Sequence, residues 1–338
     1  MIFGGAAHRG GPDPAKRWFV TVFLFILRKL ASALAVMFTV SLLVYLALEV
    51  NVGDVAVKVL GQFSTPAQRA QWLTANGYDD PFLIRYGRWL WSFITGDWGM
   101  STYYRAPVAR LIPDRLAASG ILAGGALLVI VPVGLFAGII AGMRQGSVLD
   151  RVVSFIAIAT TSIPDFASAV FFSAVFVFWL HWLPGASTML SGFSLQQIIL
   201  PVLVLGFYST GYLARVTRAS MIEVMGTHYV RTARLKGAST ARIVWRHALR
   251  NALITPVTVI MLQFPWLLSG VIVVEVFYAY KGFGTLLYDA ALNSDIRLVE
   301  ACAMVSVVVV VATQILSDLA YGWLNPRVSL LDAAKGRK

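Results

Sequence analysis

The stretch Tyr229-Val230-Arg231-Thr232-Ala233-Arg234-Leu235-Lys236-Gly237-Ala238-Ser239, continued by Arg246-His247-Ala248-Leu249-Arg250-Asn251-Ala252-Leu253 and Pro256, decides how this chain is read. It is a basic island set between two apolar runs, 198–213 before it and 257–278 after it. Tyr229–Lys236 is long enough for two helical turns, and Gly237 suits a left-handed stop. Ser239 is placed to cap a second helix. There Arg242, Arg246 and Arg250 recur at i, i+4, i+8 and share one face. Ala241, Val244, Trp245, Ala248 and Ala252 are expected on the other side. Such a helix lies along a membrane or against other helices, its arginines at lipid phosphates or protein carboxylates. Pro256 is expected to mark the turn into the next apolar run.

The rest of the chain explains the island's setting. Of 338 residues 58% are hydrophobic and only 13% charged, with mean hydropathy +0.74. A soluble domain carries about 25% charged residues, so this chain's solvent is largely lipid. The net charge of +12 does not point to nucleic acid, because the basic residues lie in gaps between apolar runs and form no basic domain with interleaved aromatics. One cysteine, Cys302, excludes an intrachain disulfide and a Cys-based zinc cluster. His8, His181, His228 and His247 show no metal-ligand spacing, so no metal site is expected.

A membrane helix needs about 20 mostly apolar residues. Six stretches qualify: Leu30–Leu48, Ala117–Met143, Val152–Leu180, Ile198–Leu213, Val257–Tyr278 and Leu298–Trp323. Ahead of them, Lys16-Arg17 and Trp18–Leu27 resemble a signal peptide, but Arg28-Lys29 interrupts before the Ala33-Leu34-Ala35 box, and no cleavage is expected. Trp18–Leu27 reads either as an interfacial elbow helix or as an extension of the first span. Basic residues fill the N-terminal tail, the gap holding Arg144 and Arg151, the island and the C-terminal tail, whereas 181–197 has no Lys or Arg. The positive-inside rule therefore puts both termini and the loop 214–255 in the cytoplasm. This predicts an all-α polytopic membrane protein of six spans: a tail 1–29, a transmembrane domain 30–326 and a tail 327–338.

The outer segment 49–115 reads as folded. Thr65-Pro66-Ala67-Gln68 is a capping box with Pro at the first helical position, and Asn76-Gly77 is the stop. Asp80-Pro81 opens a second helix that Gly96 can close. Phe82, Tyr86, Trp89 and Phe93 share one face of it, to lie on the bilayer or the spans, or to dock an outer partner. Carboxylates inside membrane spans are costly and become functional candidates. Asp165, after Pro164, is the deepest and is placed to meet a substrate amine. Glu275, Glu300 and Asp318 lie nearer span ends.

Residues Arg231-Thr232-Ala233, with Gly237 four positions on, resemble the EAA-type motif of ABC-importer permeases. The string from Tyr229 to Asn251 is similar to the dipeptide/oligopeptide/nickel branch. Gly53-Asp54, Asp80-Pro81, Gly96-Asp97-Trp98-Gly99-Met100-Ser101, Arg218-Ala219-Ser220-Met221, Glu275-Val276-Phe277, Gly282-Phe283-Gly284 and Asn325-Pro326-Arg327 follow in the family's order, so the resemblance runs from about residue 25 to Arg327. There are departures. Arg231 and Thr232 replace the general motif's Glu and first Ala, as is usual in this branch. Asn51-Val52 replaces Ala-Pro, Asn325 replaces Asp, and Pro265 is expected to break the fifth span and alter the local pore.

The resemblance implies a type I importer permease of the cytoplasmic (inner) membrane that hydrolyses no ATP itself. Its coupling helix would comprise His228, Tyr229, Val230, Arg231, Thr232, Ala233, Arg234 and Lys236, ended by Gly237. Tyr229, Arg231 and Arg234 would face an ATP-binding subunit, which holds ATP and Mg. A second, similar permease (usually a different chain in this branch) and an extracytoplasmic solute-binding protein complete the expected partners. Asp165, Pro164, Pro265 and Glu275 are the substrate-pathway candidates. The sequence does not separate dipeptides from oligopeptides, nickel chelates, opines or sugars. An ion-coupled secondary transporter would often show paired repeats and midplane ion ligands. A membrane-bound enzyme would show a nucleophile–base or metal constellation. Neither pattern is found, nor is a phosphate-binding Gly-x-x-x-x-Gly-Lys-Ser/Thr loop.

Overall fold

The computed structural model describes residues 14–49, 56–57, 59–190, 192–269 and 272–324. The expected Gly53-Asp54 and Asn325-Pro326-Arg327 elements and both outer tail segments lie outside the described residues. Among those described, the elements are helical apart from one isolated bridge, Met100 to Pro107. Helix α1 spans Pro14–Glu49, so the backbone runs unbroken from the expected elbow into the first span. On the outer segment follow α2 (Pro66–Ala75) and α3 (Phe82–Thr95). Next come α4 (Val108–Met143), α5 (Val148–Ser162), α6 (Asp165–Ser173, continued by a π-helical turn to Trp179) and α7 (Leu195–Met225). The basic island forms α8 (His228–Leu235), α9 (Thr240–Ile243), a π-helical turn over Val244–Ala248, and α10 (Leu249–Ala252). The chain closes with α11 (Ile254–Ser269), α12 (Ile272–Phe277), α13 (Phe283–Leu292) and α14 (Ile296–Leu324).

Four of these helices are long and apolar enough to cross a membrane; a fifth crossing follows if α5 and the helix after it count as one broken span. The expected single run Val152–Leu180 is therefore two pieces, bent by 106° at Ile163-Pro164. The cause is local: Pro164 disfavours helical backbone at Ile163, which is extended (ψ 124°). Pro265, by contrast, does not break its run. Helix α11 continues through it, and the carbonyl it frees, that of Met261, accepts a hydrogen bond from Ser317 Oγ of α14 at 3.0 Å. A neighbouring hydroxyl thus replaces the lost backbone donor. Pro201 in α7 is handled alike, the Gln197 carbonyl accepting from Ser187.

The core is the contact between α4 and α7. A Cβ on Gly134 would stand 3.0 Å from Leu213, one on Gly138 2.5 Å from the Ala214 carbonyl oxygen, and one on Gly142 2.5 Å from Met221. The two helices run parallel, and this glycine row lets their backbones close up, which is how membrane helices gain packing contacts without a hydrophobic drive. Helix α5 lies antiparallel on α7: a Cβ on Gly211 would overlap Thr160.

The outer segment folds as its turn chemistry requires. Thr65 and Gln68 form the capping box, and Gly96 closes α3 in the left-handed region. Tyr86 and Trp89 are buried against Tyr45 of α1 and Met304 of α14, with Phe82 and Phe93 packed around them. That aromatic face is turned to the spans. Ser101 Oγ donates to Asp295 Oδ2 at 2.5 Å, which ties the Trp98–Ser101 turn to the start of α14. Tyr104 donates to Asp289 at 2.8 Å, and burial, then this bond, raises the Tyr104 phenol above its usual value. Lys29 of α1 pairs with Asp318 of α14 at 2.6 Å, so that carboxylate is neutralised between helices.

Candidate functional site

Helix α8 begins right after α7 and ends as its sequence dictates. Gly237 adopts φ +79°, its N–H bonds to Arg234 O at 3.0 Å, and Ala238 N–H bonds to Ala233 O at 3.2 Å. This pair of bonds is the Schellman stop, and a residue with a Cβ is disfavoured at its left-handed position. Only Val230 of α8 is buried. His228, Tyr229, Arg231, Thr232, Arg234, Lys236 and Gly237 are exposed, and Ala233 is half-buried. Leu235, which the sequence reading passed over, is 83% exposed, a large apolar group at the end of a cationic helix.

The second half of the island differs from its expected face. Ser239 caps α9 by accepting from Arg242 N–H, as anticipated. The π-helical turn over Val244–Ala248 then inserts an extra residue and shifts the phase of the helix. Val244, Ala248 and Ala252 are buried with Ile243, but Ala241 is exposed and Trp245 is 77% exposed. Those two were expected on the packed side, and the phase shift is why they are not.

The island is fastened to α7. Met221 packs with Val244 and Ala252, and Ile139 and Met143 of α4 join them. Ser220 Oγ donates to Ala252 O at 2.7 Å. Asn251 Nδ2 donates to Tyr229 Oη at 2.9 Å, linking the two halves of the island. Tyr229 therefore also braces the loop. At the same end Arg218 grips Asp150 of α5 with two bonds, Nε to Oδ1 at 2.5 Å and Nη2 to Oδ2 at 2.8 Å. Gly146 N–H donates to the same carboxylate at 2.9 Å. These contacts join α8–α10 to α7, and α7 to α4 and α5.

Removing one side of the Arg218–Asp150 pair leaves a charge without its partner. Asp150 is 3% exposed, and the Arg218 side chain 30%. Asp150→Asn or Arg218→Met is expected to cost about 3 kcal/mol, the lower end for a buried pair because of that residual exposure. Thermal melting of the purified chain measures it. A double variant no less stable than the worse single variant supports the pair, and single variants that melt like the native chain would refute it.

The pathway candidates do not converge. Pro164 is exposed and Asp165 half-buried at the corner between α5 and α6. Just before that corner, Thr160 packs on Gly211 of α7. Glu275 is fully buried. It accepts from Ser119 Oγ of α4 and from Thr285 N–H at 2.9 Å, in the first turn of α13. A Cβ on Gly282 would overlap its carboxylate. Ser119 Oγ in turn accepts from Phe283 N–H at 2.8 Å. Glu275 thus caps a helix from a fully buried position, which explains why Glu275-Val276-Phe277 and Gly282-Phe283-Gly284 occur together. Pro265 lies on α11, apart from this nest. Among the described residues no group of three or more His, Cys, Asp or Glu side chains is placed to hold a metal ion.

Comparison with known proteins places this architecture. Residues 134–330 match the family of binding-protein-dependent transport system inner membrane components. A putative peptide transport system permease of Brucella abortus is 34% identical over 307 residues, covering 90% of this chain and 98% of its own. The dipeptide transport system permease DppB of Escherichia coli K12 is 31% identical over 334 residues, with the same 90% and 98% coverage. Among solved structures, a chain of the MetNI methionine ABC transporter in an inward-facing form aligns with 64% of this chain and 95% of its own, at TM-score 0.48 and 18% identity. This chain belongs to the binding-protein-dependent transport system inner membrane component family and is a multi-pass inner-membrane permease subunit of a type I ABC importer.

Proposed function

We propose that this permease admits peptides in an ATP-driven assembly. Its partners are ATP-binding subunits that hold ATP and Mg, a second, different permease and an extracytoplasmic solute-binding protein. The peptide class is supported by the relatives, whose names are those of peptide and dipeptide permeases. The observation that carries the coupling role is the exposure of α8. A stopped, cationic helix with one buried anchor, Val230, is fastened to a long helix and presents Tyr229, Arg231, Arg234 and Leu235 outward. Leu235 and Trp245, large apolar side chains on an otherwise cationic loop, suit a surface that is covered in the assembly. ATP-driven movement of a partner on α8 would then rock α7 through Ser220, Met221 and Tyr229–Asn251, switching inward-open and outward-open states.

In this reading α5 with α6, and α11 with α12, each make one crossing. Together with α1, α4, α7 and α14 they give six, with both termini and the island in the cytoplasm, as the basic gaps support. Asp165 and Pro164 border the substrate pathway, because their corner interrupts a membrane crossing, where a carboxylate is costly without a function. Glu275 is fully buried and is assigned to the fold.

Uptake into proteoliposomes tests the proposal. The complete assembly, with binding protein outside and ATP inside, is expected to accumulate a labelled dipeptide, and a non-hydrolysable ATP analogue to stop it. Accumulation that follows an imposed ion gradient without ATP would instead establish a secondary transporter.

A further inference from the structure

The geometry points to a stripe on α7 and α11, Tyr208, Tyr212, Arg215 and Trp266, as the surface that receives the peptide inside the membrane, with Arg215 taking its terminal carboxylate. This rests on the peptide-importer reading above. Tyr208, Tyr212 and Arg215 recur at i, i+4, i+7 and so share one face of α7. Tyr208 and Tyr212 are 37% and 39% exposed and Trp266 is 36% exposed. Tyr208 and Tyr212 stack at 6.4 Å with planes 7° apart, and the Trp266 ring lies 6.3 Å from Tyr208. Behind them Ser209 donates to Gln263 at 3.2 Å, which holds α7 and α11 together.

This face differs from the lipid-facing ones. Exposed positions on α4 and α5 include Leu128, Val133, Phe136, Phe155 and Ile156, all hydrocarbon. A tyrosine pair and an arginine in the same setting are out of place. Arg215 sits four residues beyond Gly211, on the island's side of the midpoint of α7. Arg215 follows the apolar run 198–213 by two residues, so its guanidinium reaches water at the cytoplasmic end of the span, and Tyr212 and Tyr208 lead from it into the span. Nor is Arg215 consumed by the fold. Its Nη1 donates to Thr161 Oγ1 at 3.4 Å, a neutral hydroxyl, and among the described residues no carboxylate pairs with it. The neighbouring Arg218 is instead paired with Asp150 through Nε and Nη2. A guanidinium anchored at one nitrogen keeps the remaining donors of its fork for a carboxylate, which it binds through two parallel bonds.

The space is there. Tyr212, Arg215, Val216, Arg218 and Ala219 of α7 and Ser154 and Ile158 of α5 line an open cleft of about 350 Å³, at the lower end of the usual range for small-molecule sites. Thr161, which touches Arg215, lies four residues before Asp165. A peptide with its carboxylate on Arg215 has its amine free to run along this corner toward Asp165, and its side chains against the aromatic rings.

The test uses the complete assembly in proteoliposomes and two labelled probes, alanyl-alanine and its C-terminal amide, with kcat/KM measured for each. The native assembly is expected to prefer the free carboxylate. Arg215→Gln is expected to lower that preference at least tenfold, Arg215→Lys to restore part of it, and Tyr212→Leu to raise KM for both probes where Tyr212→Phe does not. A native assembly that moves peptides with no preference for the carboxylate, or an Arg215→Gln variant that keeps the preference, overturns the inference alone. Equal losses for both probes together with fewer intact assemblies on size exclusion would make Arg215 an assembly residue and also overturn it. A native assembly that moves neither probe nor any longer peptide removes the peptide reading, and the inference with it.

Discussion

Gly237→Pro is expected to lower dipeptide-stimulated ATP hydrolysis and uptake at least tenfold while leaving the membrane helices folded. Gly237 stands at φ +79°, and proline is locked near −65°. Proline also removes the N–H that bonds to Arg234 O. The Schellman stop is lost, α8 loses its end and its partner loses a rigid lever. Gly237→Asn is the matching control, because asparagine tolerates the left-handed region. It is expected to retain most of the activity. Circular dichroism, assembly stoichiometry and ATPase rates on the two variants separate coupling from folding. Full stimulation in the proline variant would show that the stop is not part of the coupling.

Gly282→Val is expected to be more damaging still, at the level of folding. Any Cβ there overlaps the Glu275 carboxylate, which must then leave Thr285 N–H and Ser119 Oγ. Each buried donor left without a partner costs about 1–3 kcal/mol. The whole nest between α4, α12 and α13 opens. The yield of monodisperse protein after detergent extraction is expected to fall at least fivefold. Glu275→Gln with Gly282 in place, which keeps the shape and one acceptor oxygen, is expected to lose less. A Gly282→Val chain that purifies and melts like the native one would contradict the capping role.

Much of this was legible because it is local. The stop at Gly237, the Ser239 cap and the Thr65–Gln68 box depend on residues within five positions of each other. The row Gly134, Gly138, Gly142 also stood in the sequence at the spacing membrane helices use for close approach, and was passed over. Other features were hidden because they need a partner from far along the chain. Whether a proline breaks a helix depends on who takes the freed carbonyl. Ser317 does so for Pro265, while Ile163-Pro164 bends by 106°. Glu275 looked like a pathway carboxylate because Ser119 is 156 residues away in sequence. Trp245 was assigned to the wrong side because hydrophobic periodicity assumes an unbroken α-helix, and the π-helical turn adds a residue. The stripe of Tyr208, Tyr212 and Arg215 was missed for a related reason. The fourth span was ended at Leu213, whereas the helix continues to Met225 and carries Arg215 within it.

The central claim is that α8 is the seat of an ATP-binding partner, and site-directed photo-cross-linking tests it most directly. The chain holds a single cysteine, the buried Cys302, so Cys302→Ser gives a clean background. Arg234→Cys in that background, labelled with a benzophenone maleimide in the complete assembly, is expected to cross-link to the ATP-binding subunit, and irradiation to arrest ATP hydrolysis. A label at Leu128, on the exposed face of α4, is expected to do neither. An assembly that hydrolyses ATP in response to peptide, yet gives no cross-link from Arg234→Cys, Arg231→Cys or Leu235→Cys, would contradict the account.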